Sequence, residues 1–223
     1  MTRRAARTLP IAVGLVLLVL LVLLAAPAGA HHLGFIVPPD DEVTLGYKRI
    51  RSFLKAGRFE LAARECGATP LGRRLDEASR RAPPDPGGEV RAAIARRDVP
   101  GTELALARFF LVILRGLLDE ALSRVQDASL APRVKADQAL KLLAAGWRYY
   151  NLADYTIYQR DVKAALGVRL AFEDAEFALG GGKAKQARYD EGAARRTLEA
   201  FRALVSRILD ETAPGTPAGL RRR

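Results

Sequence analysis

The sequence predicts an all-α fold, an antiparallel helical bundle or irregular helical array that follows an N-terminal region of short helices. Apolar residues recur at spacings of three and four, which is the period of helices with one buried face. No run alternates apolar and polar residues with a period of two, and β-branched residues are sparse, so strands are not expected. Glycine and proline break the first hundred residues into short pieces, whereas the chain after Gly101 can form long helices.

Residues 1–30 have the features of an export signal. Three arginines, Arg3, Arg4 and Arg7, precede an uninterrupted apolar run, and residues 28–30 (Ala-Gly-Ala) match a signal-peptidase site. We therefore predict a cleaved signal peptide, with an uncleaved N-terminal anchor as the alternative. In both cases the positive charge keeps the N-terminal end cytoplasmic, so the rest of the chain is expected to be periplasmic or extracellular.

Residues 31–213 are predicted to form a single all-helical domain, and residues 214–223 a disordered basic tail. Removal of the signal leaves 193 of the 223 residues, which is enough for one domain with a hydrophobic core. The formal net charge falls from +11 to +8, because the removed segment carries three arginines and no acid. A basic exported protein is expected to meet an envelope protein, an anionic lipid or an envelope polymer rather than nucleic acid.

The reactive side chains argue against an enzyme. His31 and His32 are the only histidines, so a Ser-His-Asp or Cys-His site would need one of them to fold back onto the helices. These two histidines could bind copper or nickel, and the alternative is a frayed N-terminus. Cys66 is the only cysteine, is predicted to be a small buried hydrophobe, and cannot form a disulfide within the chain. No cofactor is expected.

The first two helices are predicted to form a hairpin. Asp40 or Asp41 can cap a helix that runs to Ala56 and stops at Gly57, and a second helix follows at 59–66. The stretch LGYKRIRSFLKAGRFELAARE resembles one tetratricopeptide hairpin, with a Gly-Arg turn followed by an aromatic residue and Ala-Ala. Such arrays need about three repeats for a continuous core. Because no second copy follows at a fixed period, a lone hairpin is the prediction.

The later helices follow from caps and breaks in the sequence. The Pro- and Gly-rich residues 83–88 read as a loop, Thr102 can cap a helix, Pro132 can open one, and Gly167 can end one. Residues 104–118 are apolar almost all round, which predicts a central buried helix. The predicted bounds are 71–82, 89–97, 102–127, 132–166, 169–179 and 190–212.

A polar-aromatic stripe in the second half of helix 132–166 supplies the candidate site. Its members are Trp147, Tyr150, Asp154, Tyr158 and Asp161. A carboxylate on a buried face is costly unless it is paired or bound to something. Three interpretations are open: Asp154 and Asp161 meet arginines from neighbouring helices, they point to water, or they line a ligand or metal pocket with the aromatic residues. Arg108 and Arg115 share a face of the preceding helix, so they are expected partners and complete the candidate set.

The leading hypothesis is an exported, non-catalytic binding or interaction module of the cell envelope. It would meet its partner through a basic surface or through the tetratricopeptide-like hairpin. The alternative is a periplasmic bundle that binds a small ligand or a metal ion with the Trp147–Asp161 stripe. An enzyme that uses Asp154 and Asp161 is the third hypothesis, and the oligomeric state is left open.

Overall fold

The computed structural model describes residues 40–81, 85–181 and 188–214, which belong to one compact unit of the chain. All regular secondary structure in these ranges is helical, so the predicted all-α class is confirmed. The eight helices are α1 (Glu42–Lys55), α2 (Phe59–Glu65), α3 (Pro70–Arg81), α4 (Pro86–Ala95), α5 (Val99–Gln126), α6 (Pro132–Arg160), α7 (Val162–Ala178) and α8 (Glu191–Glu211). None of these described helices is long and apolar enough to cross a membrane.

Several predictions concern residues outside the described ranges. These are the export segment, His31 and His32, and all of the basic tail beyond Pro214. They stay predictions.

The N-terminal hairpin forms as the sequence predicts. Asp41 caps α1, and its side chain accepts a hydrogen bond from the Thr44 N–H at 2.8 Å. Gly57 adopts a φ of +67° after the helix, a left-handed conformation that glycine takes without strain. Arg49 of α1 then pairs with Glu65 at the end of α2, with Nε to Oε2 at 3.0 Å. The hairpin is therefore closed by a turn and an ion pair.

Helix α5 occupies the centre, as its apolar composition predicts. It packs against α4, α6 and α8, and its large apolar side chains are buried on almost every side. The cap differs from the prediction, because Asp98 accepts from the Gly101 N–H at 2.9 Å. Thr102 lies inside the first turn and donates its hydroxyl to the Asp98 carbonyl at 2.7 Å. The helix therefore begins three residues earlier than expected.

The predicted helix 132–166 is wrong at its C-terminal end. The helix stops at Arg160, and Asp161 has an extended backbone with its side chain accepting from the Ala164 N–H at 2.9 Å. Asp161 is therefore the cap of a new helix, because its carboxylate satisfies an N–H that would otherwise lack a partner. Gly167, the expected stop, lies inside α7.

The core of the second half is aromatic. Phe172 of α7 lies at its centre, with ring centroids 5.0 Å from Trp147, 5.9 Å from Tyr150 and 4.6 Å from Phe201. Two of these three contacts are edge-on, a geometry that aromatic pairs favour. Apolar residues at helical spacing within 190–212 predict one buried stripe on α8, and the structure buries all of its members: Ala194, Leu198, Phe201, Val205 and Ile208.

Candidate functional site

The aromatic half of the predicted stripe is part of the core. Tyr150 is fully buried, and its hydroxyl donates to the carbonyl of Ala165 at 3.0 Å. Burial, followed by the nearby Asp154 carboxylate, raises the pKa of Tyr150 far above its usual value. Trp147 is half-buried against Phe172. These contacts join α6 to α7.

The buried face of α6 lies slightly to one side of the predicted one. The 3-and-4 spacing of apolar residues places Val134 on the same face as Trp147 and Tyr150, but in the structure Val134 is exposed, whereas the alanines and glycine between the larger residues face inward. The buried positions are Lys135, Ala136, Ala139, Leu143, Gly146, Tyr150, Ala153 and Ile157. Asp154 therefore lies at the edge of this face and not at its centre.

Asp154 pairs with an arginine from the next helix. Arg169 of α7 donates from Nε to Oδ1 at 3.1 Å and from its terminal nitrogen to Oδ2. This hydrogen bond to Asp154 raises the pKa of the Arg169 guanidinium. Of the three interpretations, the ion pair is thus confirmed for Asp154. The expected partners Arg108 and Arg115 were the wrong arginines.

Asp161 and Tyr158 both lie at the surface, away from the aromatic core. Asp161 is exposed and caps α7, which agrees with the interpretation that it points to water. Tyr158 is exposed as well, with the guanidinium carbon of Arg169 lying 5.8 Å from its ring centroid. The members of the stripe therefore occupy a core, an ion pair, a helix cap and a surface.

Arg108 and Arg115 are also separated from each other. Arg108 is buried and pairs with Glu89 of α4. Arg115 is half-buried and lines a groove of about 240 Å³ between α3 and α5, with Arg74 and Asp119 among its neighbours. The shared sequence spacing of the two arginines does not place them at one site.

A cleft of about 420 Å³ lies beside Arg108. Helix α4 and the N-terminal half of α5 form its walls, and the ends of α6 and α8 complete it. We call it the arginine cleft; it is lined by Glu89, Ala92, Ala93, Arg96, Gly101, Leu104, Ala105, Arg108, Arg160, Glu211, Thr212, Ala213 and Pro214. Sequence reasoning singled out Arg108 but assigned it another neighbour, because Glu89 comes from a separate helix.

The second surface that sequence reasoning missed is the outward face of α7. It consists of Val162, Leu166, Leu170 and Phe177, which are 45%, 45%, 59% and 56% exposed. The opposite side of the same helix is fully packed against α6 and α8. The sequence contains two apolar stripes over residues 162–178, which indicate a helix with two apolar faces. The second stripe is not visible when residues 162–166 are assigned to the preceding helix.

A polar junction ties the start of α1 to the middle of α6. The Asp41 carboxylate accepts from the Tyr149 hydroxyl at 2.8 Å and from Arg148 at 3.0 Å. Burial alone would raise the pKa of Asp41, but the hydrogen bonds from Thr44, Tyr149 and Arg148 outweigh it and lower that pKa below 3.8. Burial and the Asp41 carboxylate raise the pKa of Tyr149 to about 12. This junction has a structural role.

Possible metal ligands and the single thiol are the other reactive groups in the described ranges. No group of three or more His, Cys, Asp or Glu side chains there could hold a metal ion. Cys66 is buried, as predicted, and burial raises the pKa of its thiol to about 11.

The sequence matches no family model, and neither a curated protein nor a solved structure matches it. Two features of the described ranges remain for a function: the exposed apolar side chains on the outward face of α7 and the buried, incompletely bonded ion pair in the arginine cleft.

Proposed function

We propose that this protein is an exported, non-catalytic interaction module of the cell envelope that binds its partner through the outward face of α7. One observation carries the proposal. Four large apolar side chains lie exposed on one face of a helix whose other side is already buried, and Glu173 is the charged residue among them. Exposed apolar surface rimmed or interrupted by charge is typical of protein–protein contacts.

The dimensions of the face suit a helix–helix contact. Val162 and Phe177 are fifteen residues apart, which corresponds to about 22 Å along the helix axis. The inward face carries Val168 and Phe172, so α7 is apolar on two opposite sides. A helix with this pattern is normally covered on both sides. In the described part of the chain, α6 and α8 cover only the inward side.

The charges that border the face indicate what covers it. Lys163 lies in the N-terminal half of α7, whereas Glu173 and Asp174 lie in the C-terminal half. All three are exposed, and none forms an ion pair with another described residue. The face is thus basic at one end and acidic at the other. Two copies of it in antiparallel orientation would place the basic end of each against the acidic end of the other.

The occupant that fits this pattern is a second copy of the chain. In an antiparallel pair whose two-fold axis crosses the outward face at the level of residue 168, Leu166 of each copy meets Leu170 of the other. The same arrangement brings Lys163 of each copy to Glu173 of the other. Symmetric dimers use one self-complementary patch in this way, with both copies contributing the same residues.

The non-catalytic and exported parts of the proposal are supported by the sequence. No histidine follows His32, and the single thiol, Cys66, is buried. Export is inferred from residues 1–30. We do not propose the Trp147–Asp161 stripe as a ligand site, because Tyr150 and Asp154 already bond to α7.

The experiment is sedimentation velocity on protein purified from the envelope fraction of cells that produce the full-length chain. We expect a dimer, and we expect Leu166→Glu or Leu170→Glu to give a monomer that remains helical by circular dichroism. Leu45→Glu on α1 is the matched control, since Leu45 is an apolar residue of similar exposure elsewhere. A monomeric wild-type protein at every accessible concentration would contradict the proposal.

A further inference from the structure

We propose that the arginine cleft binds a small organic acid that carries both a carboxylate and a nearby hydroxyl or ammonium group. This binding site is independent of the dimer contact on α7 and goes beyond it. The proposal depends on three features of the cleft: an incompletely satisfied buried ion pair, two arginines that pair with no acid in the described ranges, and apolar walls.

The buried ion pair lies in the wall of the cleft. The Arg108 side chain is only 5% exposed and bonds to Oε2 of Glu89. The Arg108 Nε and the other oxygen of Glu89, Oε1, are buried and form no hydrogen bond with any residue that the structure describes. Leaving such atoms unpaired in a protein interior is costly, and native structures rarely do so without a reason. The pair thus lacks one acceptor and one donor.

Two further arginines border the cleft. Arg96 ends α4 and Arg160 ends α6, and both are exposed and form no ion pair with another described residue. Together with Arg108 they give three guanidinium groups against the two carboxylates of Glu89 and Glu211, a net charge of +1 in the lining. Arginine binds carboxylates through two parallel hydrogen bonds, so this excess favours an organic anion.

The acid must also supply a donor. A carboxylate alone would satisfy the Arg108 Nε but would be repelled by Glu89, whose Oε1 can only accept while the carboxylate is ionised. A hydroxyl or ammonium group next to the carboxylate satisfies Oε1 once the two side chains turn toward the ligand. The cleft therefore selects a ligand that offers an acceptor to Arg108 and a donor to Glu89.

The walls and volume favour an organic molecule over a bare ion. The apolar lining comes from Ala92, Ala93, Leu104, Ala105 and Pro214. A volume of about 420 Å³ falls within the range of small-molecule sites, about 300–1,000 Å³. Inorganic phosphate would leave most of this space empty and would leave the apolar walls without a contact.

Isothermal titration calorimetry with three related acids tests the proposal. Succinate, L-malate and L-aspartate share a four-carbon dicarboxylate skeleton and differ by a hydrogen, a hydroxyl or an ammonium group at one carbon. With the purified envelope protein, we expect saturable binding of malate and aspartate and weaker binding of succinate. Inorganic phosphate is the fourth probe, and it is expected not to bind.

Variants at the exposed arginines assign the binding to the cleft. Arg96→Gln and Arg160→Gln should each raise the Kd for aspartate or malate about tenfold or more, because each removes a charged hydrogen bond. Arg64→Gln, which removes an exposed arginine of α2 outside the cleft, should leave the Kd unchanged. A thermal unfolding curve for each variant checks that the fold is intact.

Four outcomes would overturn the proposal. The first two are binding of phosphate in preference to all three acids and equal binding of succinate and malate. The other two are binding that survives both arginine substitutions and the absence of a binding heat with all three acids.

Discussion

Arg169 of α7 holds Asp154 of α6 through two hydrogen bonds, one of them from Nε to Oδ1 at 3.1 Å. The pair joins the two helices across the turn that Asp161 begins. The same guanidinium lies 5.8 Å from the ring of Tyr158. The two helices are thereby fixed relative to each other, and the outward face of α7 is held in a defined position.

Loss of this pair should weaken the fold. We expect Asp154→Ala to lower the free energy of unfolding by about 1–2 kcal/mol, because it leaves Arg169 without its charged partner at a half-buried position. Urea denaturation measures the change. Asp137→Ala is the matched control, since the Asp137–Lys141 pair on the same helix is exposed and should contribute less than about 0.5 kcal/mol. Equal losses for the two variants would contradict the structural role of Asp154.

The Asp41 junction predicts a pH-dependent stability. Since the folded-state pKa of Asp41 lies below the ordinary aspartate value of 3.8, ionisation stabilises the folded chain above the unfolded pKa. That contribution is lost as the pH falls through the lower folded pKa. Asp41→Asn should therefore be less stable than wild type at neutral pH, and the difference should shrink as the pH falls below about 4.

Urea titrations at a series of pH values measure this difference. Asparagine also caps helices, so the substitution removes the charge and leaves the cap in place. A difference between wild type and Asp41→Asn that is constant from neutral pH to acid would show that the charge is unimportant.

Two glycines inside long helices, the exposed Gly116 and the buried Gly146, should respond to substitution in opposite directions. A Cβ at Gly116 of α5 would meet nothing within 4 Å, so Gly116→Ala should stabilise the protein by about 0.5–1 kcal/mol. A Cβ at Gly146 of α6 would lie 2.8 Å from Cδ1 of the buried Leu114, so Gly146→Leu should destabilise it by at least about 1–3 kcal/mol. Thermal unfolding distinguishes them. A destabilised Gly116→Ala would mean that α5 is covered at this position.

Capping residues and apolar spacing in the sequence predict most of the helices correctly. They place one important break, the one at Asp161, at the wrong residue. The start and the buried face of α8 depend on residues that are close together in the sequence. The cap at Asp190 and the apolar spacing are therefore enough to predict this helix. At Asp161 the sequence offered two signals, a helix-capping carboxylate and a nearby Gly167. Gly167 predicts the break, but in the structure it continues the helix. The Asp161 carboxylate forms the cap instead, by accepting from the Ala164 N–H, and the helix that it opens carries Phe172 in the core.

Long-range partners could not be predicted from one sequence. An ion pair is one of the three interpretations that the sequence leaves open for Asp154, and the structure shows it, but with Arg169 of the next helix. The sequence predicts Arg108 as a partner of the two acids on α6, whereas in the structure it pairs with Glu89 of the short helix α4. Spacing within a helix reports which residues share a face, whereas the neighbour of that face depends on the packing of separate helices.

The measurement that tests the central proposal most directly is a charge-exchange experiment on α7, read out by sedimentation velocity. Lys163→Glu and Glu173→Lys should each weaken the dimer, because each places like charges opposite one another in the antiparallel pair. The double variant exchanges both charges in both copies and should restore the wild-type dimer. The antiparallel α7 contact is wrong if the double variant loses as much dimer affinity as the two single variants together. It is also wrong if the single changes leave the dimer affinity unchanged.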